Sequence, residues 1–115
     1  SEIHEQLKGL TQKAKDGKLT IQEMKNSTFT VSNVGPLGGI AATPIINYPE
    51  TALIAFHKTK KMPVVNEQDE IVIRNILTLS MSFDHRVADG ATAIAFTNRL
   101  KQLIENPYNL MVEMA

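Results

Sequence analysis

Ser82-Phe83-Asp84-His85-Arg86-Val87-Ala88-Asp89-Gly90 joins a strand-like run to the start of a helix and places a histidine between acids at the junction. Upstream, Ile71 to Phe83 is rich in β-branched residues. Apolar and polar side chains alternate from Leu77 to Phe83, the period-2 signature of a half-buried strand. Downstream, Asp89 is a good N-cap, and Ala91, Ile94, Ala95, Phe96, Leu100, Leu103 and Ile104 form a broad apolar face at helical spacing. His85 therefore occupies a strand-to-helix corner, where two rigid elements fix a side chain and leave its tip accessible.

Working outward, Ile3, Leu7, Leu10 and Ala14 recur at helical intervals, so residues 2–15 read as an amphipathic helix stopped by Asp16-Gly17. Thr20 and Glu23 have capping-box spacing, which predicts a second short helix. Ser27 to Ser32 reads as a strand through the β formers Thr28-Phe29-Thr30-Val31. Asn33 to Pro44 carries three glycines and two prolines. Its glycine spacing fits neither the dinucleotide nor the P-loop fingerprint, so it is read as a structural loop in preference to a ligand-binding one, except at its first residues. Thr51 to His57 is expected to be a buried strand, Val64-Val65 a short continuation after Pro63, and Asn66 to Glu70 a polar turn. After Asn106-Pro107 the tail is expected to close with a short apolar segment, Leu110-Met111-Val112. The order helix, short helix, strand, strand, strand, helix predicts an α/β or α+β sandwich with helices against a mixed sheet.

With 115 residues, 43% of them hydrophobic, the chain can form one small domain or part of one. It opens on a serine inside a helical pattern, so further chain upstream is expected. Lys plus Arg and Asp plus Glu balance at 12 each. That balance gives no net field to attract nucleic acid or an acidic membrane, and neither is expected as a partner. The one cationic cluster, Lys58, Lys60 and Lys61, reads as a solvated strand end or as a contact to a phosphate-bearing ligand. The lack of cysteine excludes disulfides, zinc-thiolate sites and a cysteine nucleophile. No apolar run is long enough for a membrane-spanning helix, and the amino terminus has no signal-peptide core.

The three histidines differ in promise. His4 lies beside Glu2 and Glu5 on the first helix, and His57 closes an apolar strand; both read as structural or solvated. No metal-ligand spacing surrounds either one, so no metal site is expected. His85 has Asp84, Arg86 and Asp89 near it, groups that can set its charge and tautomer, as a general base requires. Alternatively, Arg86 and Asp89 form an ion pair three residues apart, Asp89 caps the helix, and His85 merely packs. Local chemistry leaves both readings open.

The motif Asp84-His85-Arg86-x-x-Asp89-Gly90 resembles the active-site signature of the dihydrolipoamide acyltransferases, the catalytic cores of the 2-oxo-acid dehydrogenase complexes. Further stretches are similar to that family in the same order: Gly17-Lys18-Leu19, Thr28 to Gly35, Gly38-Gly39, Thr43 to Asn47, Pro49 to Ala52 and Glu105-Asn106-Pro107. The resemblance implies a chloramphenicol-acetyltransferase-like two-layer α/β sandwich with a mixed sheet, present here in part. Residues 1–115 would be the C-terminal portion of the catalytic domain, with its N-terminal half, the peripheral-subunit-binding domain and the lipoyl domain absent.

The implied reaction moves an acyl group between dihydrolipoamide and coenzyme A. Coenzyme A would be a substrate, the lipoyl group would sit on an absent domain, and no metal would take part. By the same resemblance His85 is the general base, Ser32 donates a hydrogen bond to the oxyanion, and Asp89 orients the His85 corner and its arginine partners. Homotrimers building a larger cubic or icosahedral core are implied, with Ser32 of one chain facing His85 of its neighbour. Partners would be lipoyl domains and the dehydrogenase and decarboxylase components, in the cytoplasm of a bacterium (preferred) or the mitochondrial matrix of a eukaryote. The alternative is a non-catalytic core or assembly fragment; such scaffold subunits tend to lose the motif histidine, which this chain keeps.

Overall fold

A computed structural model describes residues 1–115. The first helix, α1, runs Glu2–Lys15 as its periodicity predicts, with the Ser1 hydroxyl accepting from the His4 N–H at 3.4 Å. Gly17 follows at φ 65°, the left-handed conformation that glycine adopts without a Cβ penalty. The capping box forms in both directions: the Thr20 N–H donates to Glu23 Oε2 at 2.9 Å, and the Glu23 N–H donates to Thr20 Oγ1 at 3.2 Å. It starts only a single 3-10 turn, Gln22–Met24, rather than the expected short helix. Lys25 is extended and Asn26 has φ 67°, so the chain turns away before a second turn can close.

Five strands follow: β1 (Thr30–Asn33), β2 (Ala52–Phe56), β3 (Lys60–Val65), β4 (Ile71–Ile76) and β5 (Leu79–Phe83). Pairing begins later than the Ser27 expected from propensity, because β1 gains a partner only where Thr30 comes level with Leu53. The mixed sheet is present, in the order β1-β2-β5, with β1 parallel and β5 antiparallel to the central β2. The run from Ile71 to Phe83 is two strands in two sheets. β4 pairs with β3 in a separate hairpin, and the chain breaks at Leu77-Thr78 before β5 joins β2. Pro63, opposite Ile73, falls inside β3 and is tolerated because this two-stranded sheet has only edges.

The last two elements are helices α2 (Gly90–Glu105) and α3 (Pro107–Met114), so the apolar tail is helical. α2 lies over one face of the sheet, with the Phe29 and Phe96 ring centroids 5.8 Å apart. A cleft of about 230 Å³ between them is lined by Phe29, Ala52, Met81, Phe83, Ala93 and Phe96.

The opposite face carries the hydroxyls of the alternating pattern, and a loop covers it. The Ala42 N–H donates to Ser80 Oγ at 3.3 Å, Ser82 Oγ donates to the Pro44 carbonyl at 2.5 Å, and Thr30 Oγ1 donates to Glu50 at 2.5 Å. Only Leu53, Ile54 and Ala55 of β2, with Glu50 and His57, are buried. The central strand alone is covered on both faces.

Candidate active site

The His85 corner is built by backbone and carboxylate together. β5 ends at Phe83, and the Asp84 N–H donates to the Thr51 carbonyl at 2.8 Å, tying the turn to the start of β2. The Asp84 carbonyl then accepts from the Val87 and Ala88 N–H groups at 2.9 and 3.1 Å. Asp84 Oδ1 accepts from the Arg86 N–H at 2.9 Å and from its Nε at 3.0 Å, while Nη2 reaches Oδ2 at 2.8 Å. This fork holds the Asp84 carboxyl at about 2, below its usual 3.8, and pushes the Arg86 guanidinium up in turn. His85 projects from the turn exposed, its ring 5.7 Å from that of Phe83.

Asp89 serves as the N-cap of α2. Its Oδ1 accepts from the Thr92 N–H at 2.8 Å and from Thr92 Oγ1 at 2.9 Å, and these donors lower its pKa, the backbone N–H first. The ion pair between Arg86 and Asp89 left open by the sequence does not form, since Arg86 is taken by Asp84. No hydrogen bond joins Asp89 to His85 or Arg86. Asp89 therefore reaches the corner through the first turn of α2, and the direct arginine partner expected for it belongs to Asp84.

Ser32 is half-buried in β1, level with Ala55 and, across β2, with Ser80. Its hydroxyl makes no hydrogen bond within the chain. His85 lies two residues past Phe83, which is level with Ala52. From strand rise and spacing, Ser32 and His85 are on the order of 15–20 Å apart in one chain, at opposite ends of the sheet. The structure does not bring the three expected site residues together within a single copy.

Two polar residues not selected as site residues are buried. Glu50 accepts from Ser27 Oγ and Thr30 Oγ1, which lower its pKa, Ser27 foremost. His57 is 3% exposed, with Nε2 2.7 Å from Ser80 Oγ and Nδ1 without a partner. Neither had a local signal beyond its residue type, because their partners lie 20 or more positions away. Lys60 and Lys61 are exposed in the hairpin. No three His, Asp or Glu side chains cluster as metal ligands would, and no helix is long and apolar enough to cross a membrane.

Comparison with known proteins is decisive for the family. The profile of the 2-oxoacid dehydrogenases acyltransferase catalytic domain matches residues 1–112. The chain belongs to this family. Among acyltransferase relatives, it is 46% identical over 112 residues to the dihydrolipoyllysine-residue acetyltransferase component of the Staphylococcus epidermidis pyruvate dehydrogenase complex, covering 97% of this chain and 26% of that protein. It is 38% identical over 114 residues to the succinyltransferase component of the Haemophilus influenzae 2-oxoglutarate dehydrogenase complex, covering 99% of this chain and 28% of that one. The chain thus spans about a quarter of the length of these relatives.

Solved acyltransferase structures agree with the fold. Azotobacter vinelandii dihydrolipoamide acetyltransferase, studied for the role of a serine, a histidine and an asparagine in its catalytic mechanism, superposes with TM-score 0.87 at 37% identity. The match covers 96% of this chain and 45% of that one. The cubic core of a pyruvate dehydrogenase multienzyme complex gives TM-score 0.82 at 39% identity, over 90% of this chain and 42% of that one. The fold is the acyltransferase sandwich with its mixed sheet, in part.

Proposed function

We propose that this chain is the C-terminal portion of an acyltransferase catalytic domain that moves an acyl group between dihydrolipoamide and coenzyme A, with His85 as general base. The observation that carries the reading is the spacing of residue types. In the Azotobacter enzyme the serine precedes the histidine by 52 positions and the asparagine follows it by four. Here Ser32 precedes His85 by 53, and Asp89 follows it by four. The third position holds a carboxylate in place of an amide, and both are good N-caps.

The chemistry suits these residues. A thiol near ~8.5 is mostly protonated at neutral pH, whereas imidazole near ~6.5 is mostly free to accept a proton. His85 takes the proton of the coenzyme A thiol as sulfur attacks the thioester carbon of acyl-dihydrolipoamide. The carbonyl oxygen becomes an oxyanion, to which the Ser32 hydroxyl donates. Collapse expels the dihydrolipoamide sulfur, which recovers the proton from the imidazolium. General-base catalysis supplies about 10²–10⁴ in rate, and an oxyanion donor about 10²–10³.

Separation of Ser32 and His85 within one copy supports a site shared between copies, as in a homotrimer that builds a larger core. Lipoyl domains would deliver the acyl group from the decarboxylase component, and the dehydrogenase component would reoxidise the arm. The bacterial relatives favour a bacterial cytoplasm. Apolar side chains left exposed, such as Ile71, Ile73 and Ile94, are where the rest of the domain and neighbouring copies would pack. Replacement of His85 by Ala in the complete protein tests the reading. A loss of coenzyme A-dependent acyl transfer by at least about 10² with the assembly intact is expected; undiminished turnover with intact assembly would remove His85 as the base, and no turnover in the unaltered complete protein would favour the non-catalytic core fragment.

A further inference from the structure

We propose that His57 is a positioning residue: with Ser80 it clamps the glycine loop leaving β1, and so sets the Ser32 hydroxyl in place. The inference rests on the reading of Ser32 as oxyanion donor. His57 follows β2 directly, and by strand alternation it lies on the same sheet face as Ala55 and its partner Ser32, about 8 Å from Ser32 across the sheet. Backbone bonds hold it on both sides. The Val34 N–H donates to the Phe56 carbonyl at 3.0 Å, and the His57 N–H to the Thr78 carbonyl at 3.1 Å.

The loop passes close to this residue at two of its glycines. A Cβ on Gly35 would sit 3.2 Å from the His57 carbonyl oxygen, and one on Gly39 would sit 3.9 Å from His57 Nδ1. Farther along, the Ala42 N–H bonds to the same Ser80 hydroxyl that His57 Nε2 touches. The His57 backbone therefore lies beside Gly35, its ring beside Gly39, and Ser80 bonds the loop at Ala42, all just after the chain leaves Ser32.

Packing alone does not account for a histidine here. A phenylalanine would fill similar space without leaving a buried ring nitrogen unpaired, as Nδ1 is. What the imidazole adds is the 2.7 Å contact to Ser80, the residue that also binds the loop. A hydroxyl that donates to an oxyanion must be aimed where the charge develops, and small displacements of such groups cost rate. The clamp supplies that aim from a group that need not touch substrate.

The test uses the complete protein. His57→Phe keeps the ring and loses the nitrogen, while His57→Gln keeps an amide nitrogen within similar reach of Ser80. For His57→Phe, kcat is expected to fall about tenfold with both KM values little changed, the pattern of an interaction made in the transition state. His57→Gln should recover most of that loss. In a Ser32→Ala background, His57→Phe should cost nothing further, since it acts through Ser32. Ser80→Ala, a smaller change, should repeat the kcat loss and expose the Ala42 amide to hydrogen exchange, which keeps the test open if His57→Phe folds poorly.

Equal losses from His57→Phe with and without Ser32 would overturn the inference. So would unchanged kcat in His57→Phe and Ser80→Ala while Ser32→Ala alone is impaired, an outcome that leaves the proposed reaction standing. Unchanged kcat in Ser32→Ala would instead remove the oxyanion reading, and the inference with it.

Discussion

Ser32 and His85 stand at opposite ends of the same three-stranded sheet, Ser32 level with Ala55 and His85 beyond the pairing of Phe83 with Ala52. A hydroxyl and an imidazole so placed cannot act on one carbonyl within one copy, since reacting and assisting groups must come within about 3 Å of the atoms they serve. In the proposed reaction the same separation would become productive where the sheet ends of two copies meet.

The turn carrying His85 depends on Asp84, so its stability varies with pH. Asp84 is held at about 2 in the folded chain and has an ordinary value of 3.8. The folded value is depressed, so its contribution is fully present above about pH 4 and is lost as pH falls toward 2. Thermal melts of wild type and Asp84→Asn should differ at pH 6, draw together between about pH 4 and 2, and converge only near pH 2. A difference that stays constant from pH 6 down to about pH 2 would contradict the assigned role of the Arg86 pair.

Asp89 acts on the corner as a helix cap, and this predicts a ranking of substitutions. Asn accepts the Thr92 N–H as well as Asp does, whereas Ala cannot. Asp89→Asn should keep both the melting temperature and most activity. Asp89→Ala should lower the melting temperature by a few degrees and reduce kcat, because the first turn of α2 frays beneath the His85 turn. Melting curves with steady-state rates check it; equal effects of Asn and Ala would show that the carboxylate has another task.

The glycines of the loop should differ in tolerance. Gly38 sits at φ 79° with open space around it, so Gly38→Ala meets only backbone strain, about 1–2 kcal/mol. Gly35→Ala would press its Cβ against the backbone oxygen of His57 and displace the loop. Gly39→Ala finds its nearest neighbour, a Val34 methyl, at 3.6 Å, an ordinary contact. Urea denaturation of the three variants should place Gly39→Ala closest to wild type.

Local patterns carried much of this structure. The first helix, the capping box and the Asp89 cap all arise from residues within a turn or two of each other, and each is where the spacing put it; the alternation read from Leu77 becomes a strand from Leu79. Chain-distant pairing decided the rest. Ile71 to Phe83 reads as one strand because nothing local reveals that Ile76 belongs opposite Lys60 while Leu79 belongs opposite Phe56.

At the site, His85 was legible because its motif is contiguous. Ser32 depended on family resemblance, because a strand-end serine carries no chemistry by itself. The partner of Arg86 stayed open in the sequence because two acids lie within reach, and the turn geometry selected Asp84. His57 looked like the end of an apolar strand; its bond to Ser80 spans 23 positions and has no local signature.

The shared site can be tested by mixing two impaired proteins. Complete chains carrying Ser32→Ala and His85→Ala, each expected to keep at most about a hundredth of wild-type activity, are coexpressed so that they assemble together, and coenzyme A-dependent acyl transfer is measured. In a closed ring of copies, random assortment gives an intact Ser32 facing an intact His85 at about a quarter of the junctions. The account predicts recovery of roughly that share of wild-type activity. Mixed assemblies as inactive as either variant alone would contradict it.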